Sequence, residues 1–147
     1  MSQPILGLAT AADIPAIAAL EYDYYAAEGY PSALFYQALQ QWPGGLWVAK
    51  QQQQITAYLL LAASNSAGVY WLMSMLVAPA ARGQGLGKQL IQQVQSLSTG
   101  LQAIRLTVAS DNHAAQRLYQ QCGFKKIEEI ANFFGPGAHR WLLEWRP

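Results

Sequence analysis

Only one cysteine, Cys122, occurs in 147 residues, so no internal disulfide can form and the fold does not depend on an oxidising compartment. Charge is scarce as well: 9 Lys and Arg against 8 Asp and Glu, 12% of the chain together, leave a formal net charge of +1. That balance creates no long-range field for gripping nucleic acid, and no nucleic-acid partner is expected. No run approaches the roughly 18 apolar residues that span a bilayer, because Asp13, Pro15 and Glu21 punctuate the apolar start. The same start lacks the positive region of a signal peptide, so no membrane association is expected and the cytoplasm is the expected compartment. No internal repeat or linker-like stretch divides the sequence, and no metal site is expected. With 52% hydrophobic residues, one domain over residues 1–147 can bury its own core.

What is present alternates between strand and helix signals. "ILGLAT" reads as a short strand ending at Thr10, which with Asp13 three residues on makes a capping box. Ile14, Ile17 and Leu20 recur at helical spacing, and this helix is expected to run to about Ala27, before Gly29, Tyr30 and Pro31 break it. Ser32 to Gln41 forms a second helical stretch that stops at "WPGG". "LWVAK" and "ITAYLLLAAS" then make an antiparallel pair around a turn at Gln51 to Gln54. "VYWLMSMLV", Val69 to Val77, is almost continuously apolar, as a central strand covered on both faces should be.

A glycine-rich turn follows, and the helix after it is expected to bury Leu86, Leu90, Val94 and Leu97 while showing water its glutamines. "LQAIRLTV" is another strand, with Ile104, Leu106 and Val108 on one face. A helix from Asp111 to Cys122 ends at Gly123, placed as a left-handed C′ residue, and two closing strands flank "GPG". The order β-α-α-β-β-β-α-β-α-β-β describes an α/β (α+β) fold with a mixed, mostly antiparallel central sheet flanked by helices.

The turn itself suits an anion, since its glycines let backbone approach closely and the following helix aims unpaired N–H groups the same way. A Walker A loop needs glycine and Ser or Thr where Arg82 and Gln89 stand. The dinucleotide fingerprint fails too, with Lys88 in place of its third glycine. What remains is R-x-x-G-x-G, from Arg82 to Gly87, after a strand that ends Val77, Ala78, Pro79.

Here the chain resembles the GNAT N-acetyltransferase superfamily, whose members bind the pyrophosphate of acetyl-CoA at this motif. "LTVASDNHAAQRLYQQCGF", Leu106 to Phe124, is similar to the second signature of that family: a strand, an Asn, a helix with Tyr, then Gly-Phe. The resemblance covers nearly the whole chain and implies an acetyl-CoA-dependent acyltransferase that moves an acetyl group directly to a primary amine. It places Arg82, Gly83, Gln84, Gly85, Leu86, Gly87 and Lys88 on the phosphates, and the backbone near Leu76 and Val77 on pantetheine and the thioester carbonyl.

On one helix face, Asn112, Ala115 and Tyr119 leave room for a thin amide-bearing arm such as pantetheine, Asn112 and Tyr119 being about 10 Å apart along the axis. Asn112 is equally suited to a turn or cap, and Tyr119 to an aromatic core stripe. With the resemblance, Tyr119 is the expected general acid, because a phenol of pKa about 10 stays protonated at pH 7 and can donate to a thiolate of pKa about 8.5.

The base is less legible. Relatives that acetylate ribosomal-protein N-termini carry Glu where Thr107 stands, and the central strand offers only Ser74. Glu21, Asp23 and Glu28 fall in the stretch that borders the acceptor pocket in such proteins, although each also reads as a solvated helix face. His139 on a closing strand is a further candidate, equally readable as structural. Neutralising an alkylamine costs roughly 4 to 5 kcal/mol at pH 7, and an α-amino group only about 1. A water relay or a less basic amine therefore fits a site without an evident base.

For the acceptor, "EYDYYAAEGYP" gathers tyrosines and acids, and "NFFGPGAHRW" adds aromatics. Because the resemblance places the first helices and last hairpin around the acceptor, Tyr25, Glu28, Tyr30, Ser74, Phe133 and His139 are the candidate substrate residues, suited to an ammonium-bearing small molecule or peptide. A monomer and a homodimer are both compatible with the composition. A non-catalytic acyl-CoA-binding sensor or interaction module is the alternative that the same motifs allow.

Overall fold

A computed structural model describes residues 3–97 and 100–147. Its strands are β1 (Ile5–Leu8), β2 (Leu46–Gln51), β3 (Gln54–Ala63), β4 (Val69–Val77), β5 (Ala103–Ala109), β6 (Lys125–Ile130) and β7 (Arg140–Trp145). The helices are α1 (Ile14–Tyr25), α2 (Ser32–Gln41), α3 (Leu86–Gln95) and α4 (His113–Gln121). Hydrogen-bonded neighbours run β1-β2-β3-β4-β5-β7-β6, a mixed, mostly antiparallel seven-stranded sheet in the element order expected from the sequence.

The chain divides into two units, Met1–Ala62 with Met73–Gln93, and Ala63–Leu72 with Val94–Pro147. In the first, Asp13 Oδ2 accepts from the Thr10 amide at 2.8 Å and Asp13 Oδ1 pairs with Lys50 at 3.0 Å, so the expected capping box also ties the start of α1 to β2. Burial alone would raise the Asp13 carboxyl; the Thr10 amide and Lys50 outweigh it and hold it below the usual carboxylate value. Ile14 and Ile17 of α1, Phe35 and Ala38 of α2, Leu46 and Val48 of β2, and Tyr58 and Leu60 of β3 form a buried cluster, with the Phe35 and Tyr58 rings edge to face at 5.5 Å. The α-helix α1 ends two residues before the expected Ala27, and Ala26–Glu28 continues as a 3-10 turn whose first residue has φ 53° and ψ −133°. The β2–β3 hairpin turns on Gln52 and Gln53, both left-handed, at φ 54° and 66°.

In the second unit, the start of β4 pairs in parallel with β5, Tyr70 opposite Ile104, and β7 lies antiparallel between β5 and β6. Ile104, Leu106 and Val108 are buried as expected, and Gly123 after α4 has φ 91°. One expectation is corrected: Leu97 is not on the buried stripe of α3 but 40% exposed, because the helix ends at Gln95 and leaves Leu86, Leu90, Ile91 and Val94 to form that stripe. Gln95 itself donates to the Cys122 carbonyl at 2.8 Å, so it is more than a solvated glutamine. Among the described residues no helix is long and apolar enough to cross a membrane.

Candidate active site

The end of β4 leads through a 3-10 turn, Pro79–Ala81, into the glycine-rich turn. Gly83 and Gly85 have φ of 83° and 79°, which a side-chain-bearing residue adopts only with strain, and a Cβ built on either meets no atom within 4 Å. Both glycines thus face open space rather than packed protein. The α3 ladder begins with Gln89 N–H donating to Gly85 O at 3.0 Å, so the amides of Gly85 to Lys88 precede it and sit at the positive end of the helix. Leu86 is buried, and only its backbone can face a ligand, whereas Arg82, Gln84 and Lys88 are exposed. Arg82 Nε donates to the Val77 carbonyl at 3.2 Å with its guanidinium 6.0 Å from the Tyr24 ring, and Gln84 Oε1 accepts from Gln51 at 3.0 Å. Leu76, Val77, Pro79 and Arg82 line a small cleft with Leu20, Asp23 and Tyr24 of α1. These features fit a diphosphate-bearing ligand: two open glycines, a helix N-terminus and two cations in seven residues.

The same unit contains a polar cluster that the sequence did not announce. Glu21 is 2% exposed. Its Oε1 accepts from the Tyr58 hydroxyl and from Ser74 Oγ at 3.1 Å, its Oε2 accepts from the Tyr30 amide at 2.8 Å, and Tyr58 and Ser74 are themselves 2.8 Å apart. Burial, then the Glu21 hydrogen bond, push the Tyr58 phenol above its ordinary range. Ser74, a candidate substrate residue, is buried and turned onto this cluster. A signal was present, since Glu21 continues the Ile14, Ile17 stripe at i+7 and Ser74 interrupts an apolar strand. Asp23 and Glu28 are exposed, as solvated positions should be. Tyr25 is 43% exposed and stacks edge-on against Tyr24 at 4.6 Å. Tyr30 lines a groove of about 520 Å³ with Tyr22, Asp23, Gly29 and Pro31.

In the second unit, Asn112 caps α4, its Oδ1 accepting from the Ala115 amide at 3.2 Å. Tyr119 is buried, 9% exposed, with its ring 5.7 Å from Phe124, edge to face. Gln116, which no sequence motif marks, is buried and donates to the carbonyls of Ala109 and Ser110 at 2.9 and 3.0 Å, fixing α4 to the end of β5. His139 Nδ1 accepts from the Asn132 amide at 3.0 Å, so this imidazole organises the last hairpin loop. Phe133 and Phe134 are exposed on that loop, with Arg140 4.9 Å from the Phe134 ring. Arg140 also donates to Thr107, to the carbonyl at 2.8 Å and the hydroxyl at 3.3 Å. No group of three metal-ligating side chains occurs among the described residues.

The pattern of the Acetyltransferase (GNAT) family matches residues 14–124, which include α1, the glycine turn and α4. The chain belongs to that family. Its members use acetyl-CoA and act on amine-bearing substrates such as peptides and small molecules. Among curated proteins, a mycothiol acetyltransferase from Renibacterium salmoninarum is 42% identical over 66 residues, covering 42% of this chain and 19% of that protein. The chain spans less than half the length of the curated relatives it matches. Among solved structures, Ard1 from Thermoplasma volcanium superposes with a TM-score of 0.88 at 19% identity, covering 97% of each chain. A chain of the NatC complex bound to Gag peptide and CoA superposes with a TM-score of 0.84 at 17% identity, covering 99% of each. These likenesses establish the fold.

Proposed function

We propose that this GNAT chain acts as a single cytoplasmic domain that transfers acetyl from acetyl-CoA to a primary amine of a small molecule or a peptide. The observation that carries the reading is the turn from Arg82 to Lys88, where two glycines with open faces and the first amides of α3 follow the end of β4. Backbone N–H groups of this turn, with Arg82 and Lys88, would hold the two phosphates. Backbone at Leu76 and Val77 would orient the thioester, which supplies the activated acetyl group. Asn112 and Ala115 would border the pantetheine arm. Tyr119 would donate its phenolic proton to the departing sulfur as the neutral amine nitrogen bonds to the carbonyl carbon and the carbon–sulfur bond breaks; the proton that the nitrogen then sheds would pass to water, from which the phenolate regains its own.

The named relatives keep both acceptor classes in play, one being named for mycothiol and another being bound to a peptide. Tyr25, Glu28, Tyr30, Phe133 and His139 are the residues proposed to border the acceptor. The sensor reading is supported by the buried Glu21 carboxylate being engaged by three protein donors, which disfavours it as the base. Release of CoA from acetyl-CoA, measured with spermidine, an amino acid, an aminoglycoside and an alanyl peptide, separates the two. Amine-stimulated release supports the transferase, and tight acetyl-CoA binding with no release under any amine would favour the sensor.

A further inference from the structure

Between α1 and α2 the backbone takes a costly path. Ala26 holds φ 53° and ψ −133°, a region that side-chain-bearing residues rarely occupy and that persists only where surrounding contacts determine it. Ala26 is held by its own backbone, its N–H donating to the Tyr22 carbonyl and its carbonyl accepting from Gly29 N–H at 3.2 Å, and the segment beyond it is fastened by Glu21. Its Oε2 receives the Tyr30 amide at 2.8 Å, while its Oε1 is anchored by Ser74 of β4 and Tyr58 of β3. Gly29 lies so close that a Cβ there would meet Glu21 Cγ at 3.0 Å and Tyr25 Cβ at 3.1 Å. One buried carboxylate therefore fastens the segment Ala26–Pro31 to the strand whose end, two residues past Ser74, carries Leu76.

We propose that Glu21 is a positioning residue, holding the Ala26–Pro31 segment at the spacing from β4 that the acceptor amine requires. This rests on the transferase reading above. Glu21 touches neither reactant; it acts through Tyr30 and Ser74. The phosphate-binding turn has no part in the cluster, so the effect of Glu21 falls on the acceptor and not on acetyl-CoA.

The test compares Glu21→Met, Glu21→Gln and Gly29→Ala with the native chain. Methionine fills the same space but removes the carboxylate oxygen to which the Tyr30 amide donates, while Tyr58 and Ser74, 2.8 Å apart in the native chain, can still bond each other. Glutamine can present its carbonyl to Tyr30 and its amide to the two hydroxyl oxygens, whose protons rotate to suit. Alanine at position 29 sets a Cβ 3.0 to 3.1 Å from Glu21 Cγ, the Glu21 carbonyl and Tyr25 Cβ, so the segment and Glu21 must part by a few tenths of an ångström. Acetyl-CoA Kd is read by calorimetry, and acceptor KM with whichever of spermidine, an amino acid, an aminoglycoside and an alanyl peptide the native chain acetylates.

The expected result is a rise of about tenfold in acceptor KM for Glu21→Met and Gly29→Ala. Recovery to within about threefold is expected for Glu21→Gln, with acetyl-CoA Kd within about twofold throughout. An unchanged KM in both folded disrupting variants overturns the proposal, as does a parallel loss of acetyl-CoA affinity. If Glu21→Met does not fold, Gly29→Ala and Glu21→Gln decide by the same criteria. If the native chain acetylates none of these four amines, the transferase reading fails separately. Amide exchange of residues 26–30 then decides the tie, and equal exchange in the native and Gly29→Ala chains overturns it.

Discussion

Replacing Tyr119 with phenylalanine removes one hydroxyl and leaves a ring that stays edge to face with Phe124 at 5.7 Å. The structural cost is the hydrogen bonding of one phenol, about 1 kcal/mol, and for a chain of this size about 3 °C in Tm. If Tyr119 protonates the departing sulfur, the chemical cost is larger and falls elsewhere. Loss of a placed proton donor lowers kcat by at least about tenfold, which is about 1.4 kcal/mol on the barrier, and does not touch the phosphates. The assay is CoA thiol release under saturating acceptor, with acetyl-CoA affinity by calorimetry and Tm by circular dichroism on the same preparation. A folded variant with native kcat removes Tyr119 from the chemistry. A variant that loses acetyl-CoA affinity in proportion to its rate would make Tyr119 a binding group instead of an acid.

Two further outcomes test the fold. Gln52 and Gln53 occupy a hairpin turn at φ 54° and 66°, the geometry that Asn-Gly favours, so the double substitution Gln52→Asn, Gln53→Gly should stabilise by about 1 kcal/mol and raise Tm by about 3 °C; a Tm that does not rise contradicts the strain. The folded Asp13 carboxyl lies below its ordinary value, so its contribution to stability is complete above about pH 4 and is lost as pH falls through the lowered value. Tm measured from about pH 5 to about pH 2 should therefore fall more steeply in the native chain than in Asp13→Asn, and parallel slopes would remove Asp13 from the acid limb.

Local patterns carried most of the fold into the sequence. The apolar run of β4 and the helix stop at Gly123 are features of a few adjacent residues, and each lies where its pattern placed it. The Thr10–Asp13 box is equally local. Leu97 continued a periodicity that the chain abandons at Gln95, because spacing marks a helix face but not its end. Glu21 illustrates the deeper limit. Read alone, a glutamate among tyrosines and aspartate is a surface residue, and what buries it are Tyr58 and Ser74, 37 and 53 positions away. Those partners converge only once β3 and β4 lie beneath α1. The conformation of the glycine turn was legible because its requirements are local: glycines with positive φ, then a helix start. The path of Ala26–Pro31 was not, because Glu21 ties Tyr30 to Tyr58 and Ser74 across long stretches of sequence.

The measurement that bears most directly on the central claim is calorimetric titration of acetyl-CoA into the native chain and a Gly85→Asp variant. Gly85 has φ 79° and no neighbour within 4 Å of a built Cβ, so the variant bears a backbone cost of about 1 kcal/mol and stays folded while placing a carboxylate at the phosphate turn. Micromolar binding by the native chain that the variant loses is the predicted result. Absence of binding by the native chain, or equal binding by Gly85→Asp, would contradict it.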